Sequence, residues 1–295
     1  MTRDHVAPVT RSVESWVSQA SDERERCLRQ AVHTVLHAIA RSPQLRGSML
    51  IKGGMLLAIG YGNDRFTTDV DFSTDTQMRS FDVAAFLDEL EVQLTEAVEM
   101  LEQDLDCRVQ SHQMKPAGPG VSFPTLTIKV GYSRFGSPEH QRLIRKGCPN
   151  VLAIDYSLNE IQLFEPAEIV LGHGGSVQAY SLPDLIGEKY RAMLQQEVRN
   201  RFRGQDVYDI HRLLIDSALA VESNEELRSQ VHLSLVEKSA TRDIGLDAYS
   251  IRADTLMERL ERNYGDLRLT VESLPPFEDA YERVARYYES LPWSV

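Results

Sequence analysis

Met49-Leu50-Ile51-Lys52 is a short apolar run that stops at two glycines, Gly53 and Gly54. An apolar segment, Met55 to Ile59, follows at once, and then comes Arg65-Phe66-Thr67-Thr68-Asp69-Val70-Asp71-Phe72. Strand side chains alternate between faces, so Asp69 and Asp71 share one side and Val70 and Phe72 the other. Such a strand packs one face on a core and carries two carboxylates on the opposite face. Like charges so placed repel unless a cation lies between them, and a hard divalent ion such as Mg²⁺ takes oxygen ligands. The glycines permit a tight turn and close backbone approach. A helix starting there presents free N–H groups to a phosphate. A phosphate cradle beside metal-binding carboxylates is suited to phosphoryl or nucleotidyl transfer.

The chain has 295 residues, enough for one large domain or two modest ones and for a sizeable core. Its longest apolar run near the front, Met55 to Ile59, is far too short to span a bilayer, and Met1-Thr2-Arg3-Asp4-His5 has no apolar signal region. The three cysteines, Cys27, Cys107 and Cys148, are unclustered and odd in number, which excludes a disulfide framework or zinc spacing and points to the cytoplasm. The formal net charge is −12, so any contact with nucleic acid must be local. Two basic clusters offer one: Arg142, Arg145 and Lys146, and Arg199, Arg201 and Arg203. Each reads equally as a solvated face.

Along the chain, residues 8–48 read as helical, with Leu28, Ala31, Val32, Val35, Leu36 and Ile39 at three- and four-residue spacing and a stop at Ser42-Pro43. A second amphipathic helix covers Ser80 to Glu102. Four β-like runs follow, over Cys107–His112, Thr125–Tyr132, Val151–Ser157 and Ile161–Phe164. The loop Lys115–Gly120 separates the first two, and Ser133–Asn150 reads as a loop or short helix over the sheet. Gly172, Gly174 and Gly175 mark a boundary, after which the chain is helical: from Ser181 to about Arg199, then roughly 206–220, 224–238, 247–264 and 277–291. The fold class expected is α/β plus all-α, with an N-terminal domain over 1–175 carrying a mixed sheet and a C-terminal helical domain over 176–295.

Lys189 falls inside the apolar stripe Leu182, Leu185, Ile186, Tyr190, Met193 and Leu194. A lysine there either snorkels outward or meets an anion. Asp206 projects near the apolar side of the next helix, as a helix cap or as part of a site, and Asp209 lies one turn on, in a site or paired with Arg212 or Arg203. In Val151-Leu152-Ala153-Ile154-Asp155-Tyr156, Asp155 shares a face with Ala153, and a lone carboxylate at such a place is either solvated or a ligand.

Gly-Gly followed by Asp-x-Asp resembles the signature of the polymerase-β-like nucleotidyltransferase superfamily. Lys52-Gly53-Gly54 with Arg65 ahead of the Asp pair is similar, more narrowly, to the AbiEii/AbiGii abortive-infection nucleotidyltransferase toxins. Glu188-Lys189-Tyr190-Arg191-Ala192 and Arg203-Gly204-Gln205-Asp206-Val207-Tyr208-Asp209-Ile210 resemble that family's second half. Gln205 departs from the basic residue usual there. The resemblance implies that Asp69 and Asp71 hold Mg²⁺ or Mn²⁺, with Asp155 as third metal ligand and activator of the attacking hydroxyl. It implies that Lys189 binds the triphosphate, that Asp206 and Asp209 complete the site, and that Lys52, Gly53, Gly54 and Arg65 contact the nucleotide. The expected partners are an NTP, the 3′ end of tRNA or another RNA, and a cognate antitoxin. A small molecule or a protein as acceptor, and a non-catalytic nucleotide-binding regulator, remain the alternatives.

Overall fold

In the computed structural model, residues 12–116, 118, 120–197 and 200–293 are described. The N-terminal segment is three helices: α1 (Val13–Ser18), α2 (Glu23–Arg41) and α3 (Pro43–Ser48). The stop expected at Ser42-Pro43 is present, Ser42 accepting from the Leu45 amide and Pro43 opening α3, whereas the break at Asp22, which caps α2 by accepting from the Glu25 amide, was not expected. Residues 8–11 lie outside the described residues.

β1 (Leu50–Lys52) leads into α4 (Gly53–Gly60), and the Asp-x-Asp segment is β2 (Asp69–Ser73). After α5 (Val83–Leu101) come β3 (Leu105–Lys115), β4 (Thr125–Arg134), α6 (Pro138–Ile144) and β5 (Val151–Ser157). Ala117 and Pro119 of the expected loop lie outside the described residues. Ile161–Phe164 forms no strand. Both neighbours of β5 in the sheet are already taken by β4 and β2, and the Phe164 amide instead donates to Asp184 at 3.2 Å. Two strands that went unforeseen follow, β6 (Ala167–Val170) and β7 (Ser176–Ala179), paired antiparallel around the glycines that read as a boundary.

The seven strands form one mixed sheet in the order β3-β4-β5-β2-β1-β7-β6. β7 pairs parallel with β1, and the Tyr180 amide donates to the Ile51 carbonyl at 2.9 Å. A division between 175 and 176 therefore cuts through the β6–β7 hairpin, and the helical part begins at α7 (Leu182–Leu194). Ser181 caps α7 by accepting from the Asp184 amide, and Pro183 sits in its first turn. The helix expected to reach Arg199 ends at Leu194; Val198 and Arg199 lie outside the described residues.

α8 (Gly204–Ile215), α9 (Glu225–Ala240), α10 (Asp254–Arg262) and α11 (Phe277–Glu289) complete the chain. Of the helix expected over 247–264, only α10 is α-helical, preceded by a 3₁₀ turn at Ser250–Arg252. One face of the sheet is core: Val70, Phe72, Leu126, Ile128, Leu152 and Ile154 are fully buried. The stripe of α11, including Phe277, Tyr281, Val284 and Tyr288, is buried as well.

Candidate active site

β1 ends at Lys52, and the chain turns into α4 through Gly53 at φ +69°. A Cβ on Gly53 would stand 2.1 Å from Asp71 Oδ2, so only glycine can pass beneath that carboxylate. Gly54 has a different neighbour, since its Cβ would meet the Arg65 guanidinium at 2.7 Å. Strand register then assembles the floor. Antiparallel pairing puts Lys52 opposite Asp71, and parallel pairing puts Asp71 beside Asp155 and Asp69 beside Ala153. Thr127 on β4 faces Asp155 and donates to its Oδ1 at 2.8 Å, while Thr67 donates to Asp69 Oδ1 at 2.6 Å.

Burial, joined by Asp69 and Asp155, pushes the Asp71 carboxyl up to about 6 against the pull of Lys52 and Lys189. This is a place where negative charge is crowded and a cation would relieve it. Among the described residues, no group of three His, Cys, Asp or Glu side chains that could hold a metal ion is found. Mg²⁺ needs only one or two carboxylates, taking its other ligands from water and substrate phosphates. Asp69 and Asp71 fit that requirement.

The facing wall comes from α7 and α8. The Lys189 ammonium donates to Asp206 Oδ1 at 2.8 Å and to Asp209 Oδ2 at 2.7 Å. Burial alone would lower its pKa, but the two carboxylates outweigh that and hold it above the ordinary lysine value. Asp209 is fully buried and also takes both prongs of Arg65, each at 2.9 Å, and the Asn63 amide at 3.0 Å. Burial would raise its carboxyl, yet Lys189 and Arg65 keep it low. Asp206 does not cap α8, whose N-cap is Arg203; its Oδ2 is buried without a hydrogen bond, with the Arg203 guanidinium 3.7 Å away.

Between floor and wall lies a cleft of ≈ 600 Å³, lined by Lys52, Gly53, Asp71, Asp155, Lys189 and Asp206. Asp209, Arg65 and Gly54 stand behind it. Arg65 is tied to Asp209 instead of reaching inward, and Gly54 lies under Arg65. The cleft also contains residues that sequence reasoning did not single out. Glu160 holds Arg242 through both oxygens at 2.9 and 2.7 Å, with Lys52 at 3.9 Å and the Arg242 guanidinium 3.8 Å above the Phe123 ring. Glu188 grips Arg191 at 2.9 and 2.6 Å; burial would raise this carboxyl, but Arg191 draws it well below the ordinary value. Glu188 and Arg191 flank Lys189 on α7 and were within reach of the same spacing argument. Glu160 and Arg242 lie far apart in the chain and carry no local signal. Of the second basic cluster, Arg201 and Arg203 line the cleft, and Arg199 lies outside the described residues.

Residues 35–283 match the protein family described as nucleotidyl transferase AbiEii toxin, type IV TA system. No curated protein matches the chain. Among solved structures, MenT4, a nucleotidyltransferase toxin from Mycobacterium tuberculosis H37Rv, aligns with a TM-score of 0.54 at 14% identity, over 95% of this chain and 90% of that one. At that identity the likeness is one of fold. A structure described as "putative nucleotidyltransferase from H. pylori" aligns with a TM-score of 0.44 at 16% identity, over 90% of this chain and 98% of that one.

Proposed function

The chain belongs to the family of AbiEii nucleotidyltransferases, toxins of type IV toxin–antitoxin systems, and we propose that it moves a nucleoside monophosphate from an NTP in the cleft to the 3′ end of tRNA, blocking translation. One observation carries this reading. The carboxylates Asp71 and Asp155, with Lys52 beside Asp71 on the same floor, face Lys189 and Arg191 across a single cleft, the pattern a metal-bound triphosphate needs.

Bound on Asp69 and Asp71, Mg²⁺ or Mn²⁺ would neutralise the triphosphate and stabilise the attacking and leaving oxygens. Lys189 carries three N–H donors and spends two on Asp206 and Asp209, which leaves one for a phosphate. Lys52 caps α4 without a side-chain hydrogen bond, so the first-turn N–H groups are free for an anion. Thr127 holds Asp155 in place. The 3′ hydroxyl oxygen bonds to the α-phosphorus and its proton passes to Asp155. The α–β bridging bond breaks and pyrophosphate leaves toward the cations of α7.

The reading places the protein in the cytoplasm with an antitoxin as its partner; among the described residues, no helix is long and apolar enough to cross a membrane. The test is incubation with Mg²⁺, each labelled NTP in turn, and total cellular RNA and protein. Label on the 3′ end of tRNA supports the proposal. Label on protein or on a small molecule, or none at all, overturns the choice of acceptor.

A further inference from the structure

The face of the sheet opposite the core is uncovered between two walls. Register divides it into rows. Asp71, Asp155, Thr127 and Gln113 stand side by side in one row, and Asp69, Ala153, Lys129 and Ser111 in the next. The helical wall of α7 and α8 closes over the first row, whose Asp71, Asp155 and Thr127 line the cleft. The second row lies outside the cleft lining, and Asp69, Lys129 and Ser111 in it are exposed. One step beyond, Gly131 faces Val151, and here α6 caps the sheet: a Cβ on Gly131 would lie 2.7 Å from the Leu143 side chain. From Asp155 to Val151 is four strand residues, about 13 Å. The result is an open trough, floored by the Lys129 row, with the nucleotide cleft on one side and α6 on the other.

The charge of this trough runs against that of the chain. Lys129, Arg142 and Arg145 are all exposed, and among the described residues none has a carboxylate at salt-bridge distance. Lys129 on the trough floor, with Arg142 on α6 and Arg145 at its C-cap on the far wall, makes a local excess of positive charge in a protein with a net charge of −12, and such a surface suits a polyanion. In-line displacement adds a direction. Pyrophosphate departs toward Lys189 and Arg191, so the attacking hydroxyl must approach from the opposite side of the α-phosphate, the side on which the Asp69–Lys129 row opens.

We infer that this trough is the acceptor site, and that it holds the 3′-terminal segment of a polynucleotide with its phosphates against Lys129, Arg142 and Arg145. The inference rests on the nucleotidyl-transfer reading and adds the acceptor's binding surface. Its test is the triple variant Lys129→Glu, Arg142→Glu, Arg145→Glu beside a control of equal charge change on other exposed sites, Arg24→Glu, Arg79→Glu, Arg268→Glu. NTP affinity is titrated in Mg²⁺ buffer, and transfer to tRNA is followed against RNA concentration and salt. The trough variant should bind NTP like wild type, raise the KM for RNA on the order of tenfold, and flatten the log–log salt dependence by about 2, at about 0.7 per phosphate contact. The control should match wild type. Wild-type RNA kinetics in the trough variant, or equal losses in both triples, overturns the inference while leaving nucleotidyl transfer standing. A wild type that binds NTP but labels no RNA overturns both the trough and the tRNA acceptor.

Discussion

Arg65 grips Asp209 through both prongs of its guanidinium, at 2.9 Å each, and so latches the loop ahead of the Asp-x-Asp strand to the second helix of the helical part. The same carboxylate holds Lys189. Asp209→Ala strands two cations beside one another in a buried place, so it should destabilise the protein by about 3–5 kcal/mol. Arg65→Ala leaves Asp209 with Lys189 and Asn63 and should cost less. Urea denaturation of the two variants checks the order; equal losses would mean that Asp209 is not the hub of this network.

Lys189→Met separates a lysine that serves a phosphate from one that merely ties two helices. Either role predicts some loss of stability, since Asp206 and Asp209 lose a donor, of about 1–3 kcal/mol. Only the phosphate role predicts a further effect in protein that remains folded. NTP affinity in Mg²⁺ buffer should fall about ten- to a hundred-fold or more, the equivalent of roughly 1.5–3 kcal/mol for a charge-assisted hydrogen bond. Lys189→Arg should also bind poorly, because a planar fork does not replace a compact ammonium in this pocket. Unchanged affinity in folded Lys189→Met would assign the residue to structure alone.

The raised Asp71 carboxyl gives a pH signature. Its folded pKa of about 6 lies above the unfolded value of about 4, so the folded state binds more protons in between and metal-free stability should fall as pH rises from 4 to 6. Asp71→Asn removes that slope and should be at least as stable as wild type above pH 6, with no transfer activity. Mg²⁺ competes with the proton, so stabilisation by added Mg²⁺ should be larger at pH 7.5 than at pH 5 in wild type and absent in Asp71→Asn. Thermal melts at the two pH values decide this. Equal Mg²⁺ effects in both proteins would remove Asp71 from the metal site.

Growth inhibition on expression should depend on the same carboxylates. The double variant Asp69→Ala, Asp71→Ala should accumulate as folded protein and be harmless, with the wild type's toxicity relieved by its antitoxin. Colony counts beside circular dichroism of the purified variant check both halves. Toxicity that persists in the folded double variant would point to a binding role.

The parts of the site that lie close in sequence were legible because period and spacing encode them. Alternation put Asp69 and Asp71 on one face, and the stripe of α7 exposed Lys189 as a charge among apolar neighbours. What spacing could not show is where the charges meet. Arg65 looked like a nucleotide contact and became the partner of Asp209, 144 positions away in the chain. Glu160 and Arg242 entered the cleft unannounced, because their pairing depends on how α9 packs and not on any local pattern. β6 and β7 escaped for a related reason: four-residue strands around a glycine turn give too little alternation to stand out.

The parallel pairing of β7 with β1 also sets an order of assembly during synthesis. β1 emerges early, but its second neighbour is made only when residues 176–179 appear, and the wall bearing Lys189 and Asp206 comes later still. At ordinary translation rates roughly ten seconds separate the synthesis of Asp71 from that of Lys189. Until α7 and α8 are made, a nascent chain therefore carries the floor of the cleft without its facing wall.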